Sequence, residues 1–326
     1  AASERLALVV DGARGKFLFR FRDAIMPTEE SMWLAVRQRF RQFHSDLNPT
    51  PGEVEDAFGK AFRVGQALER AYSGQATDNP PIFQVGSWGK GTQVRPSADI
   101  DIMARFDRSI FERFHAYAKN GQSSLLQEIK GKLEPTYPQT RMRGDGQVVQ
   151  IDFNSIMVEL VPVLSVANGQ FIMPDTNGGG AWKTVDPAAQ IRHIDEADRA
   201  YNGNVRPISK MIKRWKHECN VDLKSFAIEI LVVEFFRGCP WPHHDHYYHD
   251  WYVRDCLKHM RSRLNGWISV PGTGEFVPLG NSWASKVETA IGIAEKACDY
   301  EYRDLDVLAG VEWQKIFGSR IPLRIL

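Results

Sequence analysis

Residues Phe83 to Asp107 read FQVGSWGKGTQVRPSADIDIMARFD, and the fold turns on this stretch. A short apolar run, Ile82 to Val85, stops at the corner Gly86-Ser87. A polar segment with Gly89, Gly91 and Pro96 follows, then a second apolar run that carries Asp99 and Asp101. On a strand, side chains at i and i+2 project from the same face. The two carboxylates therefore leave one edge together, close enough to share divalent cations. Mg²⁺ takes hard oxygen ligands, usually one or two carboxylates plus substrate phosphates. The Gly-Ser corner offers backbone N–H groups and a hydroxyl to a phosphate. Either half alone is a weak signal, since most D-x-D pairs are solvated strand faces. The ordered combination describes a site for a metal–nucleoside triphosphate.

Two such aspartates with a third carboxylate make the two-metal arrangement, in which one ion activates an attacking hydroxyl and the other stabilises the leaving pyrophosphate. The third acid has to come from a neighbouring strand, and two candidates exist. Glu159 interrupts the apolar run MVELVPVL, and Asp152 ends VVQIDF just before a turn at Asn154-Ser155. An acid embedded among apolar residues is costly to bury unless it binds something, which favours Glu159.

With 326 residues the chain is long enough for one large or two ordinary domains. Lys+Arg is 41 against Asp+Glu 40, so no global basic excess drives sequence-independent nucleic-acid binding. Long RNA substrates and activation by duplex nucleic acid are therefore not expected. Two local basic stretches, RQRFRQF (Arg37 to Phe43) and KMIKRWK (Lys210 to Lys216), read as solvated helix faces or as functional patches. The 4 cysteines form no C-x-x-C pair, and no apolar run approaches the length of a membrane span. A reduced, cytoplasmic protein with no membrane anchor is the expectation.

Residues from about 4 to 75 read as helices, one opening at Thr28-Glu29-Glu30 and another from Val54 to Tyr72. Strand character marks Ile82–Val85, Asp99–Phe106, Val148–Phe153 and Ile156–Val163, with a helix over Ser109 to Leu133. Pro174 to Pro187, with Asn177-Gly178-Gly179-Gly180, reads as a loop between lobes. Five helical segments follow Pro187. An α+β half followed by a helical half predicts two lobes with a ligand in the cleft between them: residues 1–187 with N-terminal helices, and 188–326 closing over the nucleotide. In CPWPHHDHYYHDW (Cys239 to Trp251), His243, His244, His246 and His249 match no familiar zinc spacing. The segment reads as a surface loop able to touch a partner.

The motifs VGSWGKGT, SADIDIMARF and VELVPVL, followed by MPDTNGGGAWKTVDPAAQIRHI and RPISKMIKRWK with LKSFAIEIL, resemble the DNA polymerase β-type nucleotidyltransferases. More narrowly they resemble the bacterial cGAS/DncV-like nucleotidyltransferases (CD-NTases), and WQKIFGSRIPL (Trp313 to Leu323) is similar to their closing segment. The resemblance covers about residues 15 to 323. It implies a bilobal α+β fold with a mixed sheet, flanking helices and a C-terminal helical lobe. It also implies transfer of a nucleoside monophosphate from ATP or GTP to a ribose hydroxyl, with Mg²⁺ or Mn²⁺ as cofactor. A second round would close a cyclic purine di- or trinucleotide. That diffusible product would reach an effector of CBASS-type antiphage defence, and the enzyme would act as a monomer.

By the same resemblance Gly86 and Ser87 match the phosphate-binding corner, and Asp99 and Asp101 match the metal-binding aspartates. Glu159 stands where the family usually has an aspartate, one methylene shorter. Lys213 matches a lysine that reaches the donor triphosphate. Ser225 and Phe226 match a Ser-aromatic pair, the hydroxyl near phosphate and the ring stacked on a base. Lys210 and Lys216 read as solvated neighbours of Lys213, and Trp215 as core. Two alternatives share these motifs: a nucleotidyltransferase that modifies RNA, protein or a small molecule, and a nucleotide-binding module without catalysis.

Overall fold

A computed structural model describes residues 8–11, 16–19 and 34–325. In chain order the elements are β1 (Leu8–Asp11), β2 (Lys16–Phe19), α1 (Leu34–Asp46), α2 (Pro51–Ser73), β3 (Ile82–Gln84), α3 (Gly86–Lys90) and β4 (Asp99–Arg105). Then come α4 (Arg108–His115), α5 (Gly121–Leu133), β5 (Arg141–Asp145), β6 (Val148–Asp152), β7 (Met157–Ser165), β8 (Phe171–Asp175) and β9 (Ala181–Val185). The last third comprises α6 (Pro187–Ala200), α7 (Val205–Glu218), α8 (Ser225–Gly238), α9 (His249–Ser262), β10 (Trp267–Ser269), β11 (Phe276–Pro278), α10 (Ala284–Tyr302) and α11 (Asp306–Phe317).

Local chemistry sets the boundaries. Thr50 caps α2 through a reciprocal pair: Glu53 N donates to Thr50 Oγ1 at 3.3 Å, and Thr50 N donates to Glu53 Oε2 at 2.6 Å. Pro51 fits the first turn, and Gly74 closes the helix in the left-handed region at φ 79. The helix expected over 109–133 breaks into α4 and α5. Asn120 turns the chain at φ 60, and a Cβ on Gly121 would fall 2.2 Å from the Phe114 carbonyl oxygen.

Two expectations change. Leu8–Asp11 and Lys16–Phe19 form an antiparallel pair, β1 with β2, rather than helix; the proposed start at Thr28 lies outside the described residues. Residues 174–187 are not an open interlobe loop. Asp175 and Ala181 pair at the end of a β8–β9 hairpin, and Asn177–Gly179 forms its turn.

The main sheet runs β3-β4-β7-β6-β5, and the β8–β9 hairpin joins it through β7. The β4–β7 pair is parallel, while β3–β4, β6–β7 and β5–β6 are antiparallel. Alternation assigns the faces. Ile100, Ile102, Val158, Leu160, Val149 and Ile151 are buried against α2 and α5. The opposite face has two regions. Met103, Val161 and Val163 meet Val85 and Met173 in a small apolar cluster. Asp99, Asp101, Glu159 and Gln150 occupy the other end.

A second, larger core belongs to the helical half, with Trp215, Trp283, Trp313, Phe236 and Phe317 fully or almost fully buried. α1 packs into that core, not against the sheet, through Val36, Phe40 and Phe43. Arg39 lies inside the supposed basic patch, yet it is fully buried. Its Nε donates to Glu301 Oε1 at 2.8 Å and its Nη2 to the Asp306 carbonyl at 2.6 Å. Among the described residues no helix is long and apolar enough to cross a membrane.

Candidate active site

The two cores meet at a cleft of about 640 Å³. One wall is the β3–α3–β4 stretch, with Gly86, Ser87, Asp99 and Asp101. The other is α7 and the start of α8, with Lys213, Lys216, Ser225 and Phe226. Residues far apart in the chain therefore face one space.

Register explains the acids. Asp101 lies opposite Glu159 in the parallel β4–β7 ladder, and Gln150 on β6 lies opposite Glu159 from the other side. Paired residues on neighbouring strands share a face, so Asp101, Glu159 and Gln150 form one rung. Gln150 Nε2 donates to Glu159 Oε1 at 2.7 Å. Asp152 sits on the same face but two strands from β4, and is exposed at a separate hollow with Arg141 and Arg143. Glu159 is the acid that neighbours Asp101.

Three carboxylates this close repel. Burial, then Asp99, then Glu159 push the Asp101 carboxyl up to about 7, and its protonated form can donate to Glu159. Burial also raises Asp99, against the pull of Lys213. Glu159 is raised by burial first, with Gln150 opposing. Among the described residues no three acids, histidines or cysteines stand in ready metal-ligand positions. Hard carboxylate oxygens whose mutual repulsion a divalent cation would relieve are the donor set that Mg²⁺ or Mn²⁺ takes.

Gly86 opens the five-residue α3 at φ +58, and a Cβ there would fall 1.8 Å from Asp101 Oδ2. Only glycine permits that close approach together with that backbone conformation. Trp88 anchors the loop, its Nε1 donating to the Asp99 carbonyl at 2.8 Å and to Ser97 Oγ at 3.1 Å.

Behind this corner lies a buried ionic cluster absent from the sequence reading. Glu229 on α8 pairs with both Lys90 on α3 and Lys213 on α7, and accepts from Thr92 Oγ1. Lys213 Nζ also donates to Thr92 Oγ1 at 2.9 Å and to the Thr92 carbonyl at 3.1 Å. Burial alone would raise Glu229, but Lys213 and Lys90 hold it below the ordinary carboxylate range. Lys213 thus lines the cleft with its ammonium committed to Glu229 and Thr92. The lysines read as solvated neighbours are not free either. Lys210 is buried on Asn48 Oδ1 at 2.6 Å and pushed down to about 8 by burial, while Lys216 Nζ donates to Ser225 Oγ at 3.3 Å at the cleft wall. Trp215 is core, and Phe226 is half-buried with Lys224 Nζ 5.8 Å from its ring.

The histidine segment divides: His243 and His244 are exposed in the loop between α8 and α9, whereas His246 and His249 pack inward. His249 is fully buried with Nε2 3.1 Å from Asn204 Oδ1, and His246 packs between it and His44 of α1.

A strand–corner–strand unit presenting paired aspartates, a third acid from the adjacent parallel strand and a helical lobe across the cleft define a polymerase β-type nucleotidyltransferase. The comparisons narrow this. Residues 34–198 match the Second Messenger Oligonucleotide or Dinucleotide Synthetase (SMODS) domain, and the chain belongs to that family. It is thereby a CD-NTase, a nucleotidyltransferase of the cyclic oligonucleotide synthase class. The cyclic AMP-AMP-AMP synthase of an Acinetobacter strain is 24% identical over 310 residues, covering 89% of this chain and 86% of that protein. The structure of Escherichia coli CdnC with ATP superposes with TM-score 0.62 at 18% identity, covering 87% of this chain and 98% of that one. Bradyrhizobium diazoefficiens CdnG with GTP gives TM-score 0.65 at 10% identity, with 88% and 96% covered.

Proposed function

We propose that this cleft joins purine nucleoside triphosphates into a cyclic di- or trinucleotide, releasing pyrophosphate at each step. The observation that carries the reading is the rung of Asp101 and Glu159 beside Asp99, opening on the Gly86-Ser87 corner. Asp99, Asp101 and Glu159 would hold Mg²⁺ or Mn²⁺, which when bound supplies charge neutralisation at the triphosphate. Gly86 and Ser87 receive the donor phosphates from one wall, and Lys216 with Ser225 from the other. Lys213 adds its positive field from behind Thr92. Phe226 offers a ring for base stacking, which tolerates different bases. An acceptor ribose hydroxyl forms a bond to the α-phosphorus while the bond to the β-phosphate bridging oxygen breaks. The hydroxyl proton passes to the Glu159 carboxylate.

In this reading the sheet lobe (1–187) and the helical lobe (188–326), with α1 seated in the helical core, close on the nucleotide. The Acinetobacter relative supports an ATP-derived product, and CdnC and CdnG were solved with ATP and GTP. The product would act on an effector in CBASS-type defence from a cytoplasmic, monomeric enzyme. Incubation with radiolabelled ATP and GTP and Mg²⁺ tests this. A small phosphatase-resistant product is expected from the wild type and none from Asp99→Asn. Label on RNA or protein, or binding without turnover, would overturn it.

A further inference from the structure

The carboxylate rung does not end at Glu159. In the β5–β6 ladder Gln150 lies opposite Arg143, so one line of side chains crosses four strands: Asp101, Glu159, Gln150, Arg143. Each neighbour is hydrogen bonded to the next. Arg143 Nε donates to Gln150 Oε1, and Gln150 Nε2 donates to Glu159 Oε1 at 2.7 Å. Arg143 is itself steadied by Asp145, 3.3 Å from Nη2.

The order of atoms follows from chemistry. A guanidinium has donors only, so it must face the carboxamide oxygen. That turns the amide N–H₂ toward Glu159, which as a carboxylate only accepts. Arg143 therefore fixes the direction of Gln150, and Gln150 fixes one oxygen of Glu159.

Glu159 needs such a restraint. A glutamate has one more rotatable bond than an aspartate, and its carboxylate can swing past the position a cation or hydroxyl requires. Holding a long side chain in one rotamer costs conformational entropy. Glu159 is half-buried, and the hollow beyond it, about 150 Å³, is lined by Arg141, Arg143, Gln150, Asp152 and Met157.

We propose that Gln150 is a positioning residue for nucleotidyl transfer, orienting the Glu159 carboxylate toward Asp101, with Arg143 locking the amide. This rests on Glu159 being the third carboxylate of the site. Gln150 is not a catalytic residue, because Glu159 lies between it and Asp101. Its role answers the extra methylene of Glu159: the amide pins the longer arm at a defined reach.

Gln150→Leu keeps the size and strand fit and removes the hydrogen bonds. It is expected to lower kcat by about 10–100-fold, with KM for the triphosphate changed less than about threefold. Mn²⁺ affinity of the nucleotide-free protein, read by electron paramagnetic resonance, should fall about tenfold. Since the position is partly exposed, the melting temperature should move little. Arg143→Ala should shift both readouts in the same direction by a smaller factor. The decisive arm is a double-mutant cycle. In Glu159→Asp the shortened carboxylate is withdrawn from Gln150, so adding Gln150→Leu should cost nothing further. The same loss in both backgrounds, or unchanged kcat and Mn²⁺ affinity in Gln150→Leu, overturns the proposal. Glu159→Gln separates the two levels. Full activity in that variant sinks the reading of the site itself. A dead Glu159→Gln beside a normal Gln150→Leu sinks only the positioning role.

Discussion

Asp101→Asn should make the metal-free protein more stable while abolishing its activity. In the folded chain the Asp101 carboxyl is raised from its ordinary 3.8 to about 7, by burial first and then by Asp99 and Glu159. A raised carboxylate pKa means that the folded state binds more protons than the unfolded chain between those two values. Stability from this group is therefore lost as pH rises from about 4 to about 7, and stays lost above. About three units at 1.36 kcal/mol each give an upper figure of about 4 kcal/mol. Asp101 is only partly buried on a solvent-filled cleft, and screening brings the expected gain to about 2 kcal/mol. Asparagine removes the charge and can still donate to Glu159. Thermal melts in EDTA at pH 8 should show the variant a few degrees above wild type. At pH 5 the gain should be smaller, because wild-type Asp101 then keeps more of its proton in the folded state. Adding Mg²⁺ with a nonhydrolysable ATP analogue should reverse the order, since ligand binding stabilises only a competent site. A variant no more stable at pH 8, or equally favoured at every pH, would refute the picture of crowded carboxylates awaiting a cation.

Gly86→Ala should abolish product with the fold retained, because the new Cβ lands on the Asp101 carboxylate; near-wild-type turnover would remove Gly86 from the site. Glu229→Gln leaves Lys90 and Lys213 buried without their counter-charge, and should cost about 3–5 kcal/mol in urea denaturation. Phe226→Ala should weaken binding of the triphosphate by about 1–3 kcal/mol, read as a rise in KM, with little change in melting temperature. Unaltered KM would place that ring outside the base-binding surface.

Much of this site is legible in the chain. Asp99 and Asp101 at i and i+2 share a face because a strand has period two, and Gly86 beside them carries a backbone requirement that only glycine meets. The preference for Glu159 over Asp152 also follows from its apolar surroundings. The remainder depends on long-range pairing. Lys213 is expected from its motif to reach the donor triphosphate, and its ion pair appears only when α8 brings Glu229 against it. Glu229 carried a usable signal, a single acid in SFAIEILVV, of the same kind that pointed to Glu159. Arg39 shows the reverse: an apparent surface arginine whose partner, Glu301, lies 262 residues away. The β8–β9 hairpin was hidden because its turn, Asn177 to Gly180, is glycine-rich enough to pass for an open loop. Gln150 has no meaning in isolation. Its role appears once register sets it opposite Glu159.

The most direct test is anomalous diffraction from crystals soaked with Mn²⁺ and a nonhydrolysable ATP analogue. Anomalous peaks within about 2.2 Å of carboxylate oxygens of Asp99, Asp101 and Glu159, with the triphosphate running from Ser87 to Lys216, are the expected result. Manganese bound elsewhere, or Asp99 and Asp101 turned away from a nucleotide seated outside the cleft, would contradict it.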